Sequence, residues 1–206
     1  MIDTAFLITA FVTMFVVIDP IGLAPLFVAL TAGMSRRRRL GIALRATGIG
    51  MALLVLFALA GEAILTFIGI SMPAFRIAGG ILLFITALDM LFERRTKRRE
   101  DQAEDEPGDD PSVFPLAIPL IAGPGAIASV ILLTGQNPGW VGFGLTLGVT
   151  AAVMVLVLAL FLAASLLERA LGKTGITVVT RLLGMLLAAL AVQFVLDGLR
   201  NFGLAP

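Results

Sequence analysis

The sequence predicts an all-α membrane protein: six transmembrane helices forming two inverted three-helix repeats, with helices 1 and 4 broken at mid-membrane. Three observations lead there. Of the 206 residues, 59% are hydrophobic and 14% charged, and the mean hydropathy is +1.04, whereas a soluble domain is about 25% charged. The apolar residues fall in runs long enough to cross about 30 Å of hydrocarbon at about 1.5 Å per residue. The two halves of the chain also match at an offset near 105 residues, as when Arg76 is paired with Arg181.

Taken in order, residues 4–31 hold a single charge, Asp19, and make helix 1. Residues 40–61, with Arg45 near their start, make helix 2, and residues 73–92 make helix 3. Residues 111–167 carry no charge, and these 57 residues suffice for two spans. The turn signal Gly135-Gln136-Asn137-Pro138-Gly139 divides them into helices 4 and 5. Residues 176–199 make helix 6. None of these runs has the polar face at helical period that a soluble bundle needs. Residues 1–3 lack a basic region and no small-residue cleavage site ends the first run, so helix 1 is expected to remain a span.

The arginines and lysines orient the spans. Residues 36–39 and Arg45 follow helix 1, Arg94, Arg95, Lys97, Arg98 and Arg99 follow helix 3, and Arg169, Lys173 and Arg181 lie at the approach to helix 6. Thirteen of the fifteen basic residues thus share one side, leaving Arg76 and Arg200 opposite. Both termini are therefore expected outside the cytoplasm. The chain divides into a first repeat over 1–92, a charged cytoplasmic linker over 93–112 and a second repeat over 113–206. The acidic run at 100–110, broken by Pro107 and Gly108, reads as a solvated flexible segment.

Composition also excludes function classes. Cysteine, histidine and tyrosine are absent, which removes disulfides, Cys/His metal sites and thiol or imidazole catalysis. No Walker motif occurs, and a net charge of +1 gives no footprint for nucleic acid. The expectation is a chain that is not an enzyme and carries no cofactor or metal. Its partners are the lipid bilayer and small solutes, with an oligomer compatible.

The repeat pairs Pro20 with Pro124, Arg76-x-x-Gly79 with Arg181-x-x-Gly184, and Glu62 with Glu168. It continues through Gly69-Ile70-Ser71 with Gly175-Ile176-Thr177 and Leu88-Asp89 with Leu196-Asp197. An alternative register sets Pro20 and Pro25 on Pro119 and Pro124. A unit of three spans is odd, so its second copy enters from the opposite face, as in transporters that enclose a midplane site between inverted halves.

Helix 1 contains Asp19-Pro20-Ile21-Gly22-Leu23-Ala24-Pro25, and helix 4 contains Pro119-Leu120-Ile121-Ala122-Gly123-Pro124-Gly125. Proline removes a donor and glycine accepts unusual torsions, so both helices are expected to break there. Asp19 before Pro20 suits a cap followed by proline at the first helical position. The resulting half-helix N-termini favour an anionic group. Asp19, Pro20, Gly22, Gly123, Pro124 and Gly125 are the candidate binding residues. Asp19 could cap, hold an ammonium or carry a proton. Arg76 and Arg181 are either supporting charges or snorkel to the interfaces, while Asp89 and Asp197 are expected at the interfaces. Gly79-Gly80 and Gly144-x-x-x-Gly148 read as close helix packing.

The runs Asp19-Pro20-x-Gly22-x-x-Pro25-x-Phe27, Arg76-Ile77-Ala78-Gly79-Gly80-Ile81-Leu82-Leu83 and Pro115-Leu116-Ala117-Ile118-Pro119-Leu120-Ile121-Ala122-Gly123-Pro124-Gly125-Ala126-Ile127 closely resemble the MarC family of bacterial and archaeal membrane proteins. That family is also described as small neutral amino acid transporters, and the resemblance covers nearly the whole chain. It implies a six-helix inner-membrane protein, with an archaeal branch described as taking up glycine and alanine. Many members carry Asn where this chain has Asp19, so the resemblance does not require a charge there. The expected function is a secondary transporter or exporter of small neutral solutes such as glycine or alanine, with a proton or sodium as coupling ion. The rival expectation is a regulatory or structural membrane protein that transports nothing.

Overall fold

A computed structural model describes residues 4–94 and 110–204, and every regular element among them is helical. In chain order these are α1 (Thr4–Ile18), α2 (Pro20–Leu30), α3 (Arg36–Ile68), α4 (Met72–Leu91), α5 (Ser112–Ile121), α6 (Pro124–Gln136), α7 (Trp140–Leu162) and α8 (Ala164–Asn201). Five stretches are long and apolar enough to cross a membrane, α1 with α2 counting as one of 27 residues. They become six if α5 and α6, which meet at 54°, form one span. The charged linker lies mostly outside the described residues. Its last acid, Asp110, is described: it pairs with Arg45 at 3.0 Å and accepts the Ser112 N–H at 3.1 Å. The Ser112 side chain and N–H, then the Arg45 and Arg38 charges, hold the Asp110 carboxyl below the usual carboxylate range.

Local chemistry sets the boundaries. Ser35 caps α3 by accepting the Arg38 N–H, and Ser71 caps α4 by accepting the Ala74 N–H, with Pro73 in the first turn. Gly69, at φ 83, closes α3 in the left-handed conformation that favours glycine. α3 has 33 residues and is therefore about 50 Å long, so its Arg36 to Arg45 end projects beyond the hydrocarbon. Helix 6 starts earlier than expected: α8 is helical from Ala164 and is interrupted at Gly172, with φ 62 and ψ 176. Leu166, Leu167, Ala170 and Leu171 supply enough apolar surface among the charges to hold a short helical segment ahead of the span proper.

Interlocking glycines bring α4 and α8 together as an antiparallel pair. A β-carbon at Gly80 would lie 2.8 Å from the Ala191 carbonyl oxygen. One at Gly184 would lie 2.9 Å from Met90 Cβ, and one at Gly198 would lie 2.6 Å from Ile77 Cγ1. Gly79 faces α6 instead, against Leu132. Gly144 and Gly148 do not serve this role: both are exposed and meet nothing within 4 Å. The inner face of α7 is supplied by Gly142, Thr146, Thr150, Val153 and Val157, a stripe that leaves the other two glycines outward.

Many contacts between the halves come in matched pairs, while those of α1 with α6 and α8 have no counterparts of like size in α5 with α2 and α4. α3 packs on α5 and α6, while α7 packs on α1 and α2; α4 packs on α6, while α8 packs on α2; and α3 meets α7 as α4 meets α8. The outer surface is apolar, with Leu56, Leu59, Phe67, Val155 and Leu186 exposed, as lipid requires.

Candidate functional site

The first interruption is a single residue. Asp19 takes φ 55 and ψ 63, and its carboxylate accepts the Gly22 N–H at 3.1 Å. Pro20 lacks the N–H that would continue the ladder from α1, so α2 starts anew with Asp19 as cap and proline at its first position. Left-handed torsions are uncommon for a residue other than glycine, but aspartate tolerates them. A β-carbon at Gly22 would collide with the Asp19 carboxylate, so glycine there is a condition of the cap. Asp19 is 1% exposed.

The second interruption is built differently. Phe114 and Ile118 adopt extended torsions inside α5, and cis peptides precede Pro115 and Pro119. The Ala122 N–H returns to the Ala117 carbonyl at 2.8 Å, after which the chain turns into α6. A β-carbon at Gly123 would strike the Pro119 carbonyl oxygen, so only glycine fits that turn. Pro124 is exposed and Gly125 is buried. Gly125 brings the two interrupted regions together: a β-carbon there would lie 3.2 Å from Val17 Cγ1 on α1 and 3.6 Å from Leu83 Cδ2 on α4.

The two arginines of the repeat have different surroundings. Arg181 is exposed and bonds Glu93 at 2.7 Å across the α4–α8 pair. Arg76 departs from the snorkelling expectation, being 8% exposed with an Nε that lacks a partner among the described residues. Its helical position explains this: Gly80, one turn on, faces α8 and the adjacent Gly79 faces α6, so Arg76 lies along the groove between them. Asp89 is half-buried with one carboxylate oxygen fully covered, deeper than expected. Asp197 is also half-buried and accepts from Gln193 at 2.8 Å.

Two residues absent from the sequence reading belong to this region. Thr31, Thr47, Thr66, Thr86, Thr134, Thr146 and Thr150 each donate to the carbonyl four residues earlier, the ordinary way a helix quiets a hydroxyl. Thr13 and Ser129 are fully buried, and neither hydroxyl has a partner among the described residues. Thr13 lies one turn before Val17 and Ser129 one turn after Gly125. α4 runs antiparallel to α6, since Met72 meets Gly135 while Thr86 meets Gly125, and chain order makes α1 parallel to α4. Both hydroxyls therefore lie at one level beyond the Val17–Gly125 contact. A buried hydroxyl without a partner costs about 1–3 kcal/mol, and the buried Thr180 hydroxyl is likewise without one among the described residues. The only signal in the sequence was the polar residue type within an apolar run.

Three cavities among the described residues are lined by other positions, none of them Asp19, Gly22 or Gly123 to Gly125.

Comparison with known proteins identifies the family of the chain. Residues 4–202 match the profile described as MarC family integral membrane protein. A UPF0056 membrane protein of Methanocaldococcus jannaschii is 37% identical over 203 residues, covering 97% of this chain and 98% of the relative. One from Archaeoglobus fulgidus is 40% identical over 198 residues, covering 95% and 92%. The UPF0056 inner membrane protein YhgN of Escherichia coli strain K12 is 34% identical over 200 residues, covering 94% and 96%. No solved structure matches significantly.

Proposed function

Because the chain belongs to the MarC family of integral membrane proteins, we propose that it is a secondary transporter or exporter of small neutral solutes, with glycine and alanine as the first candidates. The observation that carries this reading is the meeting of the two interrupted regions at the Val17–Gly125 contact, flanked by matched packing of α3 on α5 and α6 and of α7 on α1 and α2. Exchanging α1 with α5, α2 with α6, α3 with α7 and α4 with α8 preserves the packing of α3 and α7 on the opposite broken segments and of α4 and α8 on α6 and α2, but not that of α1 on α6 or α8. That supports two inverted repeats whose rocking opens a central site to either face.

On this reading α1–α2 and α5–α6 are two broken spans, and the peptide groups at Gly123 to Gly125 receive the solute carboxylate, while the Gly22 N–H stays with Asp19 beside it. Asp19 sets the cap first and meets the ammonium second. A β-carbon at Gly125 would already press on Val17 Cγ1 at 3.2 Å, so only a small solute fits beside it. A proton or sodium gradient supplies the driving force, and the chain performs no covalent chemistry. The Escherichia coli relative is an inner membrane protein, which supports the same placement here, and the basic loops favour both termini outside the cytoplasm.

Purified protein in liposomes, loaded with a proton or sodium gradient and given labelled glycine or alanine, tests the reading. Gradient-dependent accumulation or exchange above protein-free liposomes is expected. If neither solute moves under either gradient while the protein remains folded, the amino acid assignment fails and the regulatory role gains ground.

A further inference from the structure

Four consecutive arginines open α3, and the positive-inside rule accounts for their presence but not for their division of labour. Arg38 lies toward Asp110, whose carboxylate its charge helps keep ionised. Arg36 and Arg39, one turn apart, line a cavity of about 440 Å³ together with Phe27, Met34, Phe161 and Leu162. The cavity has an aromatic floor: Phe27 of α2 and Phe161 of α7 stack at 4.5 Å with ring planes 4° apart. The Arg39 guanidinium lies over the Phe27 ring, 5.6 Å from its centre. Stacking on a buried ring fixes a guanidinium while leaving its edge N–H groups free to donate. Among the described residues no carboxylate pairs with Arg36 or Arg39.

We propose that this cavity binds the anionic phosphodiester headgroup of a membrane phospholipid. Two guanidinium forks suit a phosphate oxyanion. The aromatic floor, Met34 and Leu162 suit the glycerol and first acyl carbons. The position suits a lipid as well: Leu30 ends α2, Arg36 begins α3 and Leu162 ends α7, so the cavity opens where helices leave the hydrocarbon, a usual place for basic headgroup pockets. Because Phe27 and Phe161 come from different halves, a bound lipid bridges them. A soluble phosphate compound offers the same oxyanion without the acyl chains, so the test separates the two sources.

Native mass spectrometry of the full chain in detergent, titrated with phosphatidylglycerol or phosphatidylcholine, reads binding directly. Wild type is expected to retain the anionic lipid preferentially. Arg36→Gln with Arg39→Gln should lower that preference roughly thirtyfold, the combined effect of two arginines at an anionic headgroup. Arg37→Gln with Arg38→Gln removes the same net charge and should leave most of the preference in place. Equal losses in the two double variants, with melting temperatures unchanged, would mean general surface charge and overturn the proposal, as would undiminished binding by Arg36→Gln with Arg39→Gln. Retention of the lipid in millimolar inorganic phosphate supports the lipid as occupant. Displacement at that concentration overturns the lipid assignment in favour of a soluble phosphate compound.

Discussion

Asp19 concentrates the chemistry of the candidate site in one side chain, and its roles separate by substitution. As a cap it accepts the Gly22 N–H from a left-handed backbone. Asparagine can do both, because its amide oxygen accepts and it tolerates those torsions. Leucine can do neither, and losing such a cap costs about 0.5–2 kcal/mol. Transport in liposomes is expected to fall little in Asp19→Asn and much further in Asp19→Leu, with thermal stability following the same order. Should both variants stay folded and lose transport equally, the charge itself is required and Asp19 meets an ammonium or carries a proton. Gly125 provides the companion test. A valine there must displace Val17 or Leu83, an overpacking worth about 1–3 kcal/mol, so Gly125→Val should abolish transport while a monodisperse, cooperatively melting protein persists. Normal uptake by that variant would place the site elsewhere. The capping role of Asp19 was legible in the Asp-Pro pair because it depends only on neighbours in the chain. The burial of Arg76 was not, since it depends on which faces of α4 receive α6 and α8.

At the scale of elements, packing rests on where glycines let backbones approach. Gly80→Ala would drive a methyl against the Ala191 carbonyl and the Val195 backbone nitrogen, which no side-chain rotation relieves. A loss of about 1–3 kcal/mol is expected. Gly144→Ala meets open space and should be neutral or stabilising by up to about 1 kcal/mol through helix propensity. Comparing the two melting curves in one detergent checks this, and similar shifts would contradict the α4–α8 interface. The spans themselves were readable because apolar run length is a direct measure of bilayer crossing. Which glycines face inward was not, because a small residue in an apolar helix looks alike on its lipid face and its packed face. The same limit hid Thr13 and Ser129, whose hydroxyls fail to bond back as those of Thr31, Thr47, Thr66, Thr86, Thr134, Thr146 and Thr150 do. It also hid the early start of α8, where charge spacing resembled a loop until Gly172 supplied the interruption.

For the whole molecule, the open question is whether α5 and α6 cross the membrane or dip into it and return, since a 54° bend fits either. Packing favours crossing. Gly125, at the start of α6, lies against Thr86, and Gly135, near its end, lies against Met72 at the opposite end of α4. α6 therefore runs beside most of a 20-residue span, and its end emerges on the face where α4 begins. α3 agrees, because Gly50 meets Ile121 and Gly61 meets Ile131, so the chain advances in one direction from α5 through α6. The proposed inversion requires this too, since a second unit of three crossings can be inverted only if its first member crosses. The native chain has no thiol, so single cysteines report each loop without background. With six crossings and the basic loops inside, Ser35→Cys should resist an impermeant maleimide in intact cells. Gln136→Cys and Asn201→Cys should react, and Ser35→Cys should react once the membrane is permeabilised. If α5 and α6 return to the face they left, Gln136→Cys and Asn201→Cys join Ser35→Cys on the protected side. Protection of both positions in intact cells would leave five crossings, remove the inversion and withdraw the main support for alternating access.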